Sequence, residues 1–220
     1  MSIKENLQAI KNTLPANVSL VAVSKTKPVA LIQEAYDAGQ RDFGENYIQE
    51  LEEKHKLLPA DIRWHAIGHL QSNKVKYIAP FVSLVHAVDS LKLLQEINKQ
   101  ALKNKRVIDC LLQIYIAKED TKFGFSFEEC EELFQSGELN KLQNIRITGF
   151  MGMATNTDNE DQIRGEFKSL KNFFSKISHL NTHISVLSMG MSSDYKIAIE
   201  EGSTLIRIGS SIFGERNYDK

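Results

Sequence analysis

The stretch VSLVAVSKTKP, residues 18–28, decides how this chain is read. Its first seven residues, Val18 to Ser24, are apolar or small, with little alternation. A strand buried on both faces has that pattern, and such strands belong to parallel sheets covered by helices. The run stops at Lys25, Thr26, Lys27 and Pro28, and proline cannot continue a central strand. A strand therefore ends where Lys25 stands. Residues 29–38 then read as a helix, with Gly39 to end it.

The same strand-then-helix unit repeats outward from this point. Further strands are expected over residues 42–43, 62–67, 82–88, 107–116, 145–149, 184–187 and 205–208. Helices are expected over 45–57, 74–78, 91–103, 127–134, 162–177 and 194–200, and a short turn after the last strand. Ile3, Leu7, Ile10 and Leu14 stand at helical spacing, which adds an opening helix outside the repeat. Alternating strands and helices give an α/β fold with a parallel sheet. Eight units favour a closed (β/α)8 TIM barrel over an open Rossmann sheet. No Gly-x-Gly-x-x-Gly follows the first strand, which weakens a dinucleotide reading. The 220 residues read as one domain, 1–220.

Composition narrows the function. With 42% hydrophobic and 25% charged residues the chain is ordinary for a globular protein. A net charge of −1 offers no field for nucleic acid or an anionic membrane, so any phosphate must be held by a local site. No apolar run approaches the roughly 20 residues of a membrane span. Met1 to Asn6 lacks the apolar core of a signal peptide, and Cys110 and Cys130 suit reduced thiols. The cytoplasm is the expected location.

In a barrel of this kind the chemistry sits at the C-terminal ends of the strands. Those ends offer Ser24 to Lys27, Gly44 to Asn46, and His65, Gly68, His69 and Gln71. Later strands offer Met151 and Met153, then Ser188 to Ser193, then Arg207, Gly209, Ser210 and Ser211. A lysine at the barrel mouth can be partly desolvated, which lowers its pKa and makes it a Schiff-base nucleophile. The alternative is a lysine that merely snorkels to solvent. Lys27 reads as an exposed loop charge. Ser188-Met189-Gly190-Met191-Ser192-Ser193 and Gly209-Ser210-Ser211 supply small residues, hydroxyls and backbone N–H groups where such barrels hold phosphate. A nucleophilic lysine plus a phosphate site leaves two readings. One is a protein of pyridoxal 5′-phosphate (PLP); the other is a cofactor-free Schiff-base aldolase acting on a phosphorylated substrate. Arg207 lies inside the last strand and needs a partner, because its charge cannot be shed. That partner is either a barrel carboxylate or a pyridine nitrogen.

Five stretches carry a family resemblance: VAVSKTKP (21–28), RDFGENYIQE (41–50), RWHAIGHLQSNK (63–74), LSMGMSSDY (187–195) and RIGSSIFGER (207–216). Together, in this order, they resemble the PLP homeostasis proteins, the YggS/PROSC family. The resemblance implies a fold similar to the N-terminal barrel domain of alanine racemase. It implies that Lys25 carries PLP as a Schiff base, with Asn46 near the ring and Arg207 facing the pyridine nitrogen. Ser188, Met189, Gly190, Met191 and Ser192 would line the phosphate loop with Gly209 and Ser210. Met151 would be a packing contact, in a strand end that reads Gly-Phe-Met where relatives commonly have Gly-Leu-Met.

The activity to expect is a matter of charge. PLP acts as an electron sink when its ring nitrogen is protonated, usually beside a carboxylate. An arginine there disfavours the proton. Alanine racemase tolerates this arginine with a tyrosine base from a second domain across a dimer interface. No matching domain is expected here, and Tyr47, Tyr115 and Tyr195 lie in no matching motif. The expectation is therefore a monomeric carrier with little or no catalysis, able to pass PLP to apo-enzymes; a racemase of low activity is the alternative. His65 and His69, four apart, span a strand end and Gly68, so they read as hydrogen-bonded or pocket-wall histidines rather than metal ligands. Glu128, Glu129, Glu131 and Glu132 read as a solvated helix face.

Overall fold

The computed structural model describes residues 2–118, 123–180 and 183–215. Eight parallel strands close into a barrel in sequence order: β1 (Ser19–Val23), β2 (Asp42–Glu45), β3 (Arg63–Ala66), β4 (Leu84–Val88), β5 (Ile108–Gln113), β6 (Ile145–Met151), β7 (Val186–Ser188) and β8 (Leu205–Ile208). The seam is a four-residue parallel ladder, Ser19 to Ala22 of β1 against Leu205 to Ile208 of β8. The expected (β/α)8 barrel is therefore the fold.

The helices are α1 (Ile3–Lys11), α2 (Val29–Asp37), α3 (Ile48–Leu57), α4 (Val75–Ile78), α5 (Leu91–Lys103), α6 (Phe127–Gln135), α7 (Glu160–Leu180), α8 (Tyr195–Glu200) and α9 (Ser210–Phe213). The opening helix lies outside the repeat as expected. Ser2 and Glu5 form a capping box at its start, which satisfies backbone donors the first turn leaves orphaned. Ser126 and Glu129 do the same for α6.

Several boundaries differ from the sequence reading, each for a physical reason. Glu45 favours helix by propensity, but it completes β2 because its carboxylate is buried against partners from other elements. The fifth strand stops at Gln113 rather than residue 116. Beyond that point Tyr115 N–H turns to the carbonyl of Phe125, and Ile114 bridges Phe125. The sixth strand runs on to Met151, paired residue by residue with β5 past an irregularity at Cys110 and Leu111. A one-turn helix, α9, replaces the turn expected after β8.

Two apolar layers hold this together. Inside the barrel Val21, Leu84, Ala87, Leu111, Met151 and Leu205 pack on one another. Outside it, strand residues such as Phe43, Trp64 and Phe150 meet helix residues such as Ile32, Leu94 and Phe167, all buried. Burying each such side chain stabilises the fold by about 1.5–3 kcal/mol. Cys110 and Cys130 are buried in the same layer as free thiols. No helix among the described residues is long and apolar enough to cross a membrane.

Candidate functional site

A cavity of about 630 Å³ opens at the C-terminal ends of the strands, within the range of small-molecule sites. Lys25 enters it from the end of β1, Asn46 from β2, Gly68 and His69 from β3, Gln113 from β5 and Arg207 from β8. Met191, Ser192 and Ser193 follow β7, and Ser210 and Ser211 begin α9.

The turn that carries Lys25 is held from below. Lys25 is half-buried, and its neighbour Thr26 adopts a left-handed φ of +64°. The Thr26 N–H donates to Glu50 Oε2 at 2.9 Å. Ser24 Oγ donates to Glu45 Oε1 at 2.6 Å, and Lys54 Nζ donates to Ser24 O, Glu45 Oε1 and Glu50 Oε2 at 2.9, 2.8 and 3.0 Å. Burial pushes the Glu45 carboxyl up to about 7, against the pull of Lys54. Lys27 is not the exposed loop charge expected. It is half-buried, and its Nζ donates to the carbonyls of Phe213, Gly214 and Glu215. A one-turn helix leaves those carbonyls without intrahelical partners.

Arg207 is buried and reaches the cavity from inside the barrel wall. Its Nη1 donates to Ser188 Oγ at 2.6 Å and its Nη2 to the carbonyl of Gly152 at 3.2 Å, so its hydrogen bonds go to a hydroxyl and a carbonyl rather than a carboxylate. Burial lowers its pKa to about 10, against the attraction of Asp194, and it stays charged at neutral pH. The β7 and β8 loops are joined by a hydrogen bond from Gly209 N–H to Ser192 Oγ at 3.2 Å. Gly190 turns with φ +98°, and a Cβ there would stand 2.6 Å from that of Ala198. Met191 N–H donates to the buried Asp194.

Of the residues singled out from sequence, Lys25, Asn46, Met191, Ser192, Arg207 and Ser210 line one cavity. Met151, Ser188, Met189, Gly190 and Gly209 stand behind it: Met151 fills the barrel, Ser188 receives Arg207, Met189 packs in the core, and the two glycines shape loops. Gln113 and Phe123 also line it. The sequence conceals Gln113, because the apolar run of the fifth strand continues three residues past the strand's real end. Among the described residues, Tyr47, Tyr115 and Tyr195 do not line the cavity, and neither does any aspartate or glutamate. The two histidines separate. His69 lines the mouth with Nδ1 3.2 Å from Asp89, while His65 is buried between Asp42 and His86. Arg216, the last residue of the final resemblance stretch, lies outside the described residues.

Comparison with known proteins decides the family. The model of the alanine racemase N-terminal domain matches residues 1–217. A protein of Aquifex aeolicus named "Pyridoxal phosphate homeostasis protein" is 40% identical over 201 residues, 90% of this chain and 87% of that one. This chain belongs to the pyridoxal phosphate homeostasis protein family. An Escherichia coli K12 member of the same name is 38% identical over 213 residues, 94% of this chain and 89% of its own. Among solved structures, PipY of Synechococcus elongatus with PLP bound superposes with a TM-score of 0.86 at 35% identity, covering 97% of this chain and all of PipY (100%). An alanine racemase of Clostridium difficile shares the fold at a TM-score of 0.80 and 18% identity; 99% of this chain matches 57% of that one.

Proposed function

We propose that this protein binds PLP in the mouth cavity, covalently as a Schiff base on Lys25, and serves as a carrier in PLP homeostasis with little or no catalysis. The observation that carries the reading is that a half-buried lysine and a buried, charged arginine line one cavity, together with the serines of the last two loops.

The donor set fits the group. The Lys25 amine meets an aldehyde, and Ser192, Ser210 and Ser211 offer hydroxyls for a phosphate where barrels of this class hold one. Arg207 offers a cationic donor for the pyridine nitrogen, and Asn46 lines the space between. When bound, PLP supplies an electron sink whose strength depends on a protonated ring nitrogen. Arg207 works against that proton, since its guanidinium only donates. Among the described residues, no lining carboxylate replaces it and no lining tyrosine offers a second base. The chain's residues therefore bind and orient the cofactor more than they activate it.

Carriage to apo-enzymes, action as a monomer and a cytoplasmic location complete the proposal. Release is favoured by an open rim, where Phe123 and Met153 are 57% and 42% exposed. A second reading, an amino-acid racemase of low activity, draws support from His69, an imidazole in the cavity wall whose Nδ1 lies 3.2 Å from Asp89.

The test is borohydride reduction of PLP-loaded full-length protein, with peptide mass spectrometry of the product. A single adduct on Lys25, absent from Lys25→Ala, is expected; an adduct on another residue, or none, overturns the proposal. Assay of the loaded protein with L-alanine separates carrier from racemase, since steady loss of optical activity that His69→Gln abolishes belongs to the racemase alone.

A further inference from the structure

A line of polar side chains runs through the barrel core, where apolar filling is the rule. Behind the mouth cavity, Arg207 Nη1 meets Ser188 Oγ at 2.6 Å. Ser188 Oγ lies 3.1 Å from His86 Nδ1, His86 Nε2 lies 2.9 Å from His65 Nδ1, and His65 Nε2 lies 3.1 Å from Asp42 Oδ1. Ser188 and His86 are fully buried; His65 and Arg207 are nearly so. The residues come from β8, β7, β4, β3 and β2. Asp42 ends the line in a second, polar cavity with Arg63, Asp109 and Arg146.

The two ends fix the outermost bonds, from Arg207 to Ser188 and from His65 Nε2 to Asp42. A guanidinium donates only, and an ionised carboxylate accepts only. Ser188 Oγ accepts from Arg207, and its own hydrogen is left for His86 Nδ1 when that nitrogen carries none. His86 then carries its proton on Nε2 and donates to His65 Nδ1. His65 carries its own on Nε2 and donates to Asp42. With a second proton on His65, His86 would instead carry its proton on Nδ1 and Ser188 would accept from both sides. The first arrangement gives each histidine a single tautomer and every bond one direction, from Arg207 to Asp42. Burial holds the His86 pKa well below the ordinary value, and a charge on His65 or on Arg207 lowers it further. At the far end burial would raise Asp42, but hydrogen bonds from His65 and Arg63 outweigh it and hold the carboxyl at about 2.

We propose that His86 and His65 are positioning residues for the mouth cavity. Through this one-way relay, anchored on Asp42 at the opposite end of the barrel, they hold Arg207 as a fixed cationic donor, and by it they keep the cofactor's ring nitrogen unprotonated. The state of the ring rests on the PLP reading; the relay itself does not.

Histidine side-chain NMR of the ¹⁵N-labelled full-length protein tests the relay without cofactor. His86 is expected to be protonated on Nε2 alone between about pH 6 and 8, a range in which an unperturbed histidine titrates, and His65 is expected to donate from Nε2. An Nδ1–H tautomer or a titrating His86 overturns the proposal. Asp42→Asn, which can donate as well as accept, is expected to let His65 populate both tautomers. Asp109→Asn is the control, because Asp109 pairs with Arg146 in the same polar cavity but does not touch the relay. On PLP-loaded protein, Asp42→Asn is expected to move the pH midpoint of the bound-cofactor absorbance by about half a unit or more, a modest change in charge interaction, and Asp109→Asn to leave it in place. An unmoved midpoint in Asp42→Asn overturns the proposal even if the tautomers are as expected. Wild-type protein that takes up no PLP defeats the cofactor reading and the ring statement, while the cofactor-free spectra still decide the relay.

Discussion

At position 26 a β-branched residue sits at φ +64°, a conformation that costs an L-residue roughly 1–2 kcal/mol. Glu50 holds it there by accepting the Thr26 N–H, and Lys54 holds Glu50. The strain stands beside Lys25, so the clamp presets the amine's direction. Glu50→Ala is expected to weaken PLP retention roughly three- to tenfold, the equivalent of about one hydrogen bond, with little change in melting temperature; equilibrium dialysis measures it. Glu45 below the turn has a carboxyl raised to about 7 by burial against Lys54's pull. Ionising it costs more in the folded chain than in the unfolded one. Its favourable contribution is thus complete below the ordinary carboxylate pKa and is lost as pH rises toward 7. Urea melts of Glu45→Gln against pH should lose that decline. Arg207→Glu should favour a protonated ring and change the spectrum of bound PLP, and an unaltered spectrum would separate Arg207 from the ring. Lys25 and Arg207 are legible in the sequence because strand ends can be read from one segment. The Glu45–Lys54 pair is not, because its meaning lies in burial between two elements.

Among the elements, the approach of β6 to β7 sets the narrowest tolerance. A Cβ on Gly149 would lie 1.7 Å from the carbonyl oxygen of Val186, so the two strands touch backbone to backbone. Gly149→Ala is expected to lower stability by about 1–3 kcal/mol, as overpacking in a close-packed core does, read as a fall in denaturation midpoint. Strand identity is most legible where a buried parallel strand is an apolar run, as in Ser19–Val23 and Leu84–Val88, and least in β2 and β3, which carry Asp42, Glu45 and Arg63. Strand ends are harder to read. Gln113 looks like strand interior, and Ser188 falls one residue past the expected seventh strand yet is its last paired residue. His86 carries a quieter signal: a lone polar residue inside the apolar run Leu84 to Val88. A side chain that polar inside a barrel needs partners, but the strands that supply them are far away in sequence, so the line itself emerges only from the fold.

For the molecule as a whole, both thiols report on global opening. Cys110 and Cys130 are buried, and burial raises their pKa values, that of Cys130 to about 12. Thiolate reagents at mildly alkaline pH should label neither in the native protein and both in urea; labelling of one in native buffer would reveal local opening at that layer. The barrel's seam has a wider consequence. The lysine stands after the first strand and the arginine within the last, and those two strands are hydrogen-bonded neighbours. A chain emerging from the ribosome presents its amine early, yet the adjoining wall of the cavity arrives only when the eighth strand docks. Cofactor capture during synthesis would then mark the moment of ring closure, and truncated or stalled chains should take up none.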